Sequence, residues 1–368
     1  MSVKEKKVKD APRTLKSKLQ DLKDWSWQHC TWLTREDDFS DVIISSRIRL
    51  ARNIKGYCFP DRAEDQELEE IVHKVKEATK KCPSLKNALY VELSDLTEWD
   101  KRFIFERRLA SPQFVEREQP ALLVIDRDEN LSIMVNEEDH LRMQSIAPGL
   151  GIREAWSRIS NVDDELEEHL EYSFSDQFGY LTACPTNTGT GMRVSIFIHL
   201  PALAMLDEIK SVIKQLPISE IAVRGFYGEG TEPLGSIFQV SNQLTLGRTE
   251  MGIIERLEKI AQKLVELERQ AREKLLKNDP LKVKDTVFRA VGTIKYAQIM
   301  DSIECLNLLS ALRLGVDLKL IKNIKRITLN QLIVLSQPAH LQWLHKDTLS
   351  PRERDERRAE FVRKFLQL

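Results

Sequence analysis

A chain of 368 residues is long enough to form two compact units or one large one. It carries 56 Lys and Arg against 57 Asp and Glu, and this balance argues against a general nucleic-acid binder. No run of about 18 apolar residues is present, and the N-terminus has no apolar signal region, so we expect no membrane partner. Five scattered cysteines without a C-x-x-C pair favour a reducing cytoplasm over a disulfide framework or a structural zinc site.

The first 38 residues are polar and basic, with Trp25, Trp27 and Trp32 near their end. We interpret residues 1–38 as an extension, a mobile tail that leads into a short helix docked by its tryptophans. The sequence suggests no role for this extension.

From Asp41 onward the pattern becomes that of an α+β domain. Stretches 64–80 and 202–215 favour helices. Alternating apolar and polar residues predict strands over 42–50, 121–125, 131–135, 194–200 and 220–223. Because strands and helices do not alternate strictly, we expect a mainly antiparallel sheet flanked by helices rather than a doubly wound sheet.

After Gly252 the apolar period changes to that of a helix. One stripe, spaced 4, 3, 4 and 3, predicts a long helix and consists of Ile253, Leu257, Ile260, Leu264 and Leu267. Pro280 should stop this helix, and further helical segments follow to Leu368. We therefore expect an α+β domain over 39–254 and an all-α domain over 255–368.

Two strand segments carry arginines on one face. Arg47 and Arg49 are two residues apart, so both point away from a core that Ile44, Ile48 and Leu50 should face. An anion between the two arginines would offset their repulsion, whereas a solvated strand face is the alternative.

The second segment, 184–199, begins with a Thr, Asn and Gly-rich stretch that could offer backbone N–H groups to an anion. Arg193, Ser195 and Phe197 then share one strand face, which would suit a phosphate and a stacked adenine. The segment is not a P-loop, since G-x-x-x-x-G-K-[ST] is absent. An amphipathic strand after a tight turn is the alternative.

Two further clusters combine arginine with carboxylates. Arg224 and Glu229 lie among glycines, which favours a flexible loop that places both charges, although structural loops share this composition. Glu138 lies between two other acids just before Arg142. These acids should raise one another's pKa unless they share a cation, and a solvated acidic turn is the alternative. Cations for phosphates and carboxylates for a basic nucleophile are what phosphoryl transfer needs, yet protein-kinase signatures are absent.

Together these segments resemble the phosphagen (guanidino) kinases. The shared motifs occur in the family's order and are S-S-R-I-R, V-N-E-E-D-H-L-R, C-P-T-N-x-G-T-x-x-R and R-G-x-x-G-E-x-T-E. The large N-terminal helical domain of the animal enzymes is absent and the C-terminal part contains R-D-x-x-R-A, so the chain is most similar to the bacterial protein arginine kinases. The resemblance covers roughly residues 39–368.

The resemblance implies an ATP-dependent phosphotransferase that acts on arginine side chains of proteins. Its catalytic residues would be Glu138, Glu229, Cys184, Arg193 and Arg224, with two glutamates orienting the guanidinium. Magnesium would bridge the nucleotide phosphates without a protein metal site. ATP would bind at Ser45, Ser46, Arg47, Ile48, Arg49, Arg142, Arg193, Val194, Ser195, Ile196, Phe197, Arg224, Gly225, Phe226, Tyr227, Gly228 and Glu229.

The same resemblance implies regulation through the helical domain. Arg354, Asp355 and Arg358 would form an allosteric phosphoarginine pocket, although they could equally be the charged face of a terminal helix. A homodimer, an activator protein and a Clp-type ATPase or protease would be the partners. Two other functions stay open, a free-arginine kinase and a weakly active adaptor that binds phosphoarginine.

The chain also departs from the family pattern. Phe197 stands where animal enzymes usually have a histidine. Arg107 and Arg108 stand where many bacterial members have a histidine. We therefore expect the nucleotide contacts to differ in detail.

Overall fold

A computed structural model describes residues 29–217, 219–225 and 234–368. One eight-stranded sheet forms its centre, with every neighbouring pair antiparallel and the order β2-β3-β4-β5-β1-β8-β10-β9; β6 and β7 form a separate hairpin. The strands are β1 Ile43–Arg52, β2 Leu89–Glu92, β3 Leu122–Ile125, β4 Leu131–Val135, β5 Leu141–Pro148, β6 Phe174–Ser175, β7 Gly179–Tyr180, β8 Met192–His199, β9 Ile221–Gly225 and β10 Ile237–Asn242.

Helices flank this sheet and make up the C-terminal part, which confirms the expected α+β fold followed by a helical region. None of the helices in the described ranges is long and apolar enough to cross a bilayer. The helices are α1 Asp65–Lys81, α2 Glu98–Glu106, α3 Pro112–Val115, α4 Ile152–Glu167, α5 Pro201–Met205, α6 Ile209–Lys214, α7 Glu250–Asn278, α8 Pro280–Tyr296, α9 Ser302–Asp317, α10 Arg326–Leu335, α11 Pro338–His345 and α12 Pro351–Leu366.

The two faces of the sheet pack differently. One face carries the largest apolar core, into which α1, α4 and α7 insert their apolar stripes. On the opposite face, a cluster under α2 and α3 covers β3 and β4, and a second cluster joins the helical region to the β1–β8 side. The middle of that opposite face is left as a cleft.

The long helix α7 starts and stops for local reasons. The Thr249 side chain caps its first turn by accepting a bond from Gly252 N at 3.1 Å. It ends at Asn278, where Asp279 caps α8 and Pro280 takes the first helical position. Because Ile253, Leu257 and Leu264 of α7 belong to the main core, this helix packs with the sheet. The division at residue 255 remains a prediction about domains.

Local backbone geometry overturns two expectations. Pairing of β1 with β8 shifts register between Ile43 and Ser45, a bulge that turns Ile44 to the cleft side. Ile44 was expected to face the main core, but it packs with Trp32 and Phe197 instead. The helix predicted over 202–215 is two short helices, because Asp207 between them has a left-handed backbone with φ of 56°.

Trp32 docks as expected for the end of the basic extension. It lies in a short 3-10 helix, Thr31–Leu33, and is buried in the cluster that joins the helical region to the sheet. Trp25 and Trp27 lie outside the described residues.

One buried arginine ties the helical region to the sheet. Arg313 of α9 is fully buried and donates to the carbonyl oxygens of Ser40 at 2.6 Å and Asp41 at 3.1 Å, just before β1. Its guanidinium also donates to His199 Nδ1, at the end of β8, at 2.6 Å. The start of β1 and the end of β8 are thus held by a residue about 115 positions later in the chain than His199.

Candidate active site

The cleft on the open face of the sheet has a volume of about 1060 Å³. Strand pairing sets Arg49 of β1 opposite Arg193 of β8, and Arg47 opposite Ser195. The five arginines that the sequence singled out all line this cleft, although they come from four strands: Arg47, Arg49, Arg142, Arg193 and Arg224.

Three of these arginines have donors that no group in the described parts of the chain accepts. The Nε atoms of Arg47, Arg49 and Arg193 are buried and lack a hydrogen-bond partner among the described residues. The Ser195 hydroxyl, between Arg193 and Phe197 on the same strand face, is buried and also without a described partner. Buried donors are normally satisfied, so an absent acceptor indicates a ligand with several oxygen atoms.

The electrostatics of the cleft also indicate an anionic ligand. Burial, together with Arg108 and Arg142, lowers the pKa of Arg47 to about 9. Burial and the neighbouring arginines also hold the pKa of Arg49 well below its usual range. Guanidinium groups stay charged near neutral pH, so these lowered pKa values express the free-energy cost of burying the charges and, to a lesser extent, of keeping like charges together. A polyanion in the cleft would offset that cost.

The charge of Arg142 is balanced within the protein. Its Nη1 donates to both carboxylate oxygens of Glu137, at 2.5 and 2.6 Å. Burial alone would raise the pKa of Glu137, but Arg142 and a bond from Ser111 Oγ lower it. Glu137 is thus an anion that positions Arg142. The positive charge of Arg142 in turn offsets the repulsion expected among the acids of this turn.

The neighbouring glutamate faces the cleft instead. Glu138 is half-buried and lies across from the loop that carries Cys184, with Asn187 Nδ2 at 3.4 Å from its Oε2. Cys184 is also half-buried, with its Sγ 3.0 Å from Thr186 Oγ1. A carboxylate and a sulfur at one edge of a cationic cleft form a suitable place for a guanidinium.

A buried aspartate joins the two segments that carry these groups. Asp139 Oδ1 accepts from Ala183 N at 2.7 Å and from Asn53 Nδ2 at 2.6 Å. Asn53 in turn accepts from His140 N at 2.9 Å. Burial raises the pKa of Asp139 to about 6. Asp139 therefore sets the spacing between Glu138 and Cys184.

The pleat of β1 and β8 divides the expected nucleotide-binding residues. Ser45 and Phe197 border an apolar cavity that Arg47 also lines, beside the cleft. The side chains of Ile48, Val194 and Ile196 lie in the main core on the other face, and Ser46 Oγ bonds to Gly149 O at 2.8 Å. A ligand above the arginines is therefore out of reach of these four side chains, as period-two alternation requires.

The glycine-rich segment after β9 is only partly described. Arg224 and Gly225 end β9, with Arg224 opposite Gln239 and lining the cleft. The remaining residues expected there, namely Phe226, Tyr227, Gly228 and Glu229, lie outside the described residues.

Arg108 is a cleft residue that the sequence pattern did not distinguish from Arg107. Its guanidinium carbon lies 4.3 Å from the centroid of the Phe197 ring, and the residue lines the cleft. Arg108 has a left-handed backbone, with φ of 66°, directly after α2. Arg107 is instead buried and paired with Glu129 at 2.5 Å. The Arg-Arg pair was the one available signal, and it did not show which arginine enters the cleft.

The expected phosphoarginine residues lie far along the chain, on α12. Arg358 is buried, and its guanidinium donates to Ser336 O at 2.8 Å, Met300 O at 2.7 Å and Asp355 Oδ1 at 2.6 Å. Arg354 is half-buried, and its guanidinium carbon lies 5.9 Å from the Trp99 ring centroid. Arg354 is therefore the more accessible cation of the two.

Two family models match the chain. Residues 70–271 match the ATP:guanido phosphotransferase C-terminal catalytic domain, and residues 280–368 match the protein-arginine kinase McsB C-terminal domain. The chain is 42% identical to a protein-arginine kinase of Shouchella clausii, over 92% of this chain and 95% of that protein. It is 41% identical to one of Halothermothrix orenii, over 95% and 99%.

Solved structures share the fold. Lombricine kinase matches with a TM-score of 0.57 at 23% identity, over 64% of this chain and 68% of the other. A duplicated taurocyamine kinase from Schistosoma mansoni matches with a TM-score of 0.59 at 25% identity, over 76% and 40%. With the cationic cleft and its edge carboxylate in place, these matches lead to one conclusion: the chain belongs to the ATP:guanido phosphotransferases, in the protein-arginine kinase family.

Proposed function

We propose that this protein transfers the γ-phosphate of ATP to the guanidinium groups of arginine side chains in proteins. The observation that carries the proposal is the set of buried arginine donors without described partners, next to a half-buried glutamate. A nucleotide triphosphate would supply the missing acceptors, and a guanidinium would occupy the edge beside Glu138 and Cys184.

The chemistry follows from the properties of guanidinium. It is a poor nucleophile, because its lone pairs are delocalised and it stays protonated near neutral pH. Glu138 can hold two of its N–H groups in line and accept the proton lost as the N–P bond forms. The bond from the γ-phosphorus to the bridging oxygen breaks, and ADP leaves. We propose Glu229, outside the described residues, as the second carboxylate.

Fixed arginines would stabilise the transferring group. Arg47, Arg49 and Arg193 lie on adjacent strands of one sheet, so their positions need little adjustment during the transfer step. We assign Arg142 and Arg224 to the same phosphate-binding set.

Magnesium fits the cleft as a companion of the nucleotide. Within the described ranges no group of three or more His, Cys, Asp or Glu residues could hold a metal ion. Magnesium is commonly bound through substrate phosphates with one or two carboxylates, and it neutralises phosphate charge when bound. The carboxylates in the described lining of the cleft, Asp61, Glu137 and Glu138, would be the ones near such a complex.

Activity with a protein substrate tests the proposal directly. Incubation with Mg-ATP and an arginine-rich protein should give an acid-labile phosphate signal in phosphorus NMR, and free arginine should be a poorer substrate. Glu138→Gln should lower the rate by about 10²–10⁴-fold, since the proton acceptor is lost. Glu266→Gln, an exposed change on α7, is the matched control. Unchanged activity of Glu138→Gln would exclude its proposed role.

Regulation by phosphoarginine is a second proposal. We propose that Arg354 contacts the phosphate, while Arg358 positions Asp355, because Arg358 already uses its donors within the protein. Arg354→Ala should then abolish the effect of added phosphoarginine on the rate, with little change in basal activity.

Several cellular features also belong to the proposal. A homodimer formed by the helical domain, an activator and a Clp-type ATPase or protease as recipient are the proposed partners. A cytoplasmic location fits the five free cysteines, since reducing conditions keep thiols unpaired.

A further inference from the structure

The loop after β10 forms one wall of the cleft and exposes two leucines. Leu244 lines the cleft in the same cavity as Cys184 and Asn187. Leu244 is 42% exposed and Leu246 is 55% exposed. We name these two residues the leucine rim.

A second groove adjoins the cleft at this rim. It has a volume of about 560 Å³, lies between β9 and the start of α7, and shares Leu244 with the cleft as a wall. Its lining includes four buried apolar side chains: Ile221, Ile253, Leu257 and Ile260. Its one acid, Glu220, pairs with Arg256 at 3.0 Å and Arg248 at 3.5 Å. Two guanidinium groups share this one carboxylate, while the apolar side chains give the groove an apolar wall.

Hydrogen bonds hold the rim in its exposed position. Thr245, between the two leucines, is buried, and its one hydroxyl hydrogen can be donated to Thr188 O at 2.7 Å or Thr186 O at 3.0 Å. Asn242 Nδ2 donates to Leu244 O at 3.1 Å. The Thr245 hydroxyl attaches the rim to the loop that carries Cys184, and the Asn242 bond fixes the backbone of the rim itself. The leucines therefore stay beside the guanidinium edge of the cleft.

The backbones of these two loops approach each other closely. Gly189 of the Cys184 loop has φ of 114°, and a Cβ there would meet Leu246 Cα at 2.7 Å. The rim cannot move inward to bury its side chains without displacing this backbone. Apolar groups fixed in water at the edge of a cleft are typical of a binding surface.

We propose that the leucine rim and the adjoining groove bind the polypeptide on either side of the target arginine and favour apolar neighbours. The inference rests on the proposed function. An arginine side chain tethers its guanidinium to a backbone, so the flanking residues must lie at the mouth of the cleft. Continuity of the groove with the cleft through Leu244, together with the exposed leucines and the buried apolar side chains of the groove, favours an extended segment with apolar residues.

The test compares two synthetic peptides in Mg-ATP assays with the full-length protein. One carries leucines on both sides of a single arginine, and the other carries serines there. The unaltered protein should have the lower KM for the leucine-flanked peptide. Leu246→Ser should raise that KM about fivefold with kcat unchanged, and should leave the serine-flanked peptide unaffected. Leu246→Met keeps the apolar surface and should restore the preference.

Leu281→Ser is the matched control, because Leu281 is 75% exposed on α8, outside the loop between β10 and α7. An equal effect of Leu246→Ser on both peptides, or the same effect from Leu281→Ser, would overturn the rim proposal alone. If the unaltered protein phosphorylated neither peptide, the proposed function would be wrong and the rim proposal would fall with it.

Discussion

Buried arginines occur in two regions of this protein, and the two groups differ in what they bind. In the helical region, Arg313 and Arg358 direct their donors to backbone carbonyls and side chains. In the cleft, Arg47, Arg49 and Arg193 keep buried Nε atoms that no described residue accepts. The same side chain therefore stabilises the fold in one region and remains available for a ligand in the other. A buried arginine therefore indicates a binding site only where the protein itself does not supply acceptors for its donors.

The largest effect that follows from this comparison is on catalysis. Arg49→Met should lower the phosphorylation rate by about 10³-fold or more, because a fixed cation on the transferring group is lost. Its unfolding free energy should stay level or rise, since a buried like charge is removed. Rate assays and urea denaturation measure both, with the exposed Arg289→Met as control. A large loss of stability would place Arg49 with the structural arginines.

In the helical region, replacing a buried arginine should instead lower the stability of the fold. Arg313→Met should lower the unfolding free energy by about 3–5 kcal/mol, because it leaves buried polar partners unpaired. Those partners include the carbonyl oxygens of Ser40 and Asp41 and the imidazole of His199. Urea denaturation against Arg289→Met checks this. Stability equal to that of the control would contradict the structural role.

A smaller effect concerns pH and the aspartate that links the two loops. Burial raises the pKa of Asp139 to about 6 from an ordinary value near 3.8, so the folded state favours its protonated form. The stability from this group is complete below about pH 4 and is lost as pH rises through about 6. Asp139→Asn cannot ionise, so its stability relative to the unaltered protein should increase by roughly 2 kcal/mol over that window.

Thermal melts of both proteins between pH 4 and 7 measure this difference. Asp95→Asn, at an exposed position, is the control. A difference that stays constant with pH would show that Asp139 does not titrate in this range.

The smallest effect tests the arginine that the sequence did not identify. Arg108→Gln removes a guanidinium from the face of the Phe197 ring and a cation from the cleft. We expect the KM for ATP to rise about fivefold, in line with a partly desolvated cation–π contact. Steady-state kinetics with varied ATP measures it. Arg127→Gln, outside the lining of the cleft, should leave the KM unchanged.

Strand periodicity predicted much of this site, because it depends only on neighbouring residues. It correctly put Arg47 and Arg49 on one face of β1, and Arg193, Ser195 and Phe197 on one face of β8. It could not show that Arg49 lies opposite Arg193, since that register depends on pairing across about 140 residues. The motif order supplied this convergence through family resemblance alone.

Other features depended on backbone geometry that no side-chain pattern reveals. The bulge before Ser45 reversed Ile44, and a left-handed residue at 207 divided a helix. Strand β5 was not predicted from the sequence. Arg142 and Gln144 face the cleft, so this segment lacks the apolar composition of a core strand. Arg108 reaches the cleft only through its left-handed backbone after α2.

Arg313 has a further consequence for how the molecule unfolds. It connects the start of β1 and the end of β8 to α9, and these two strands form the centre of the sheet. Loss of the helical region would leave His199 and two backbone carbonyls buried without a donor. The sheet and the helices should therefore melt in one cooperative transition, with amide protons of β1 and β8 exchanging last. A single transition would mean that the predicted domains 39–254 and 255–368 unfold together.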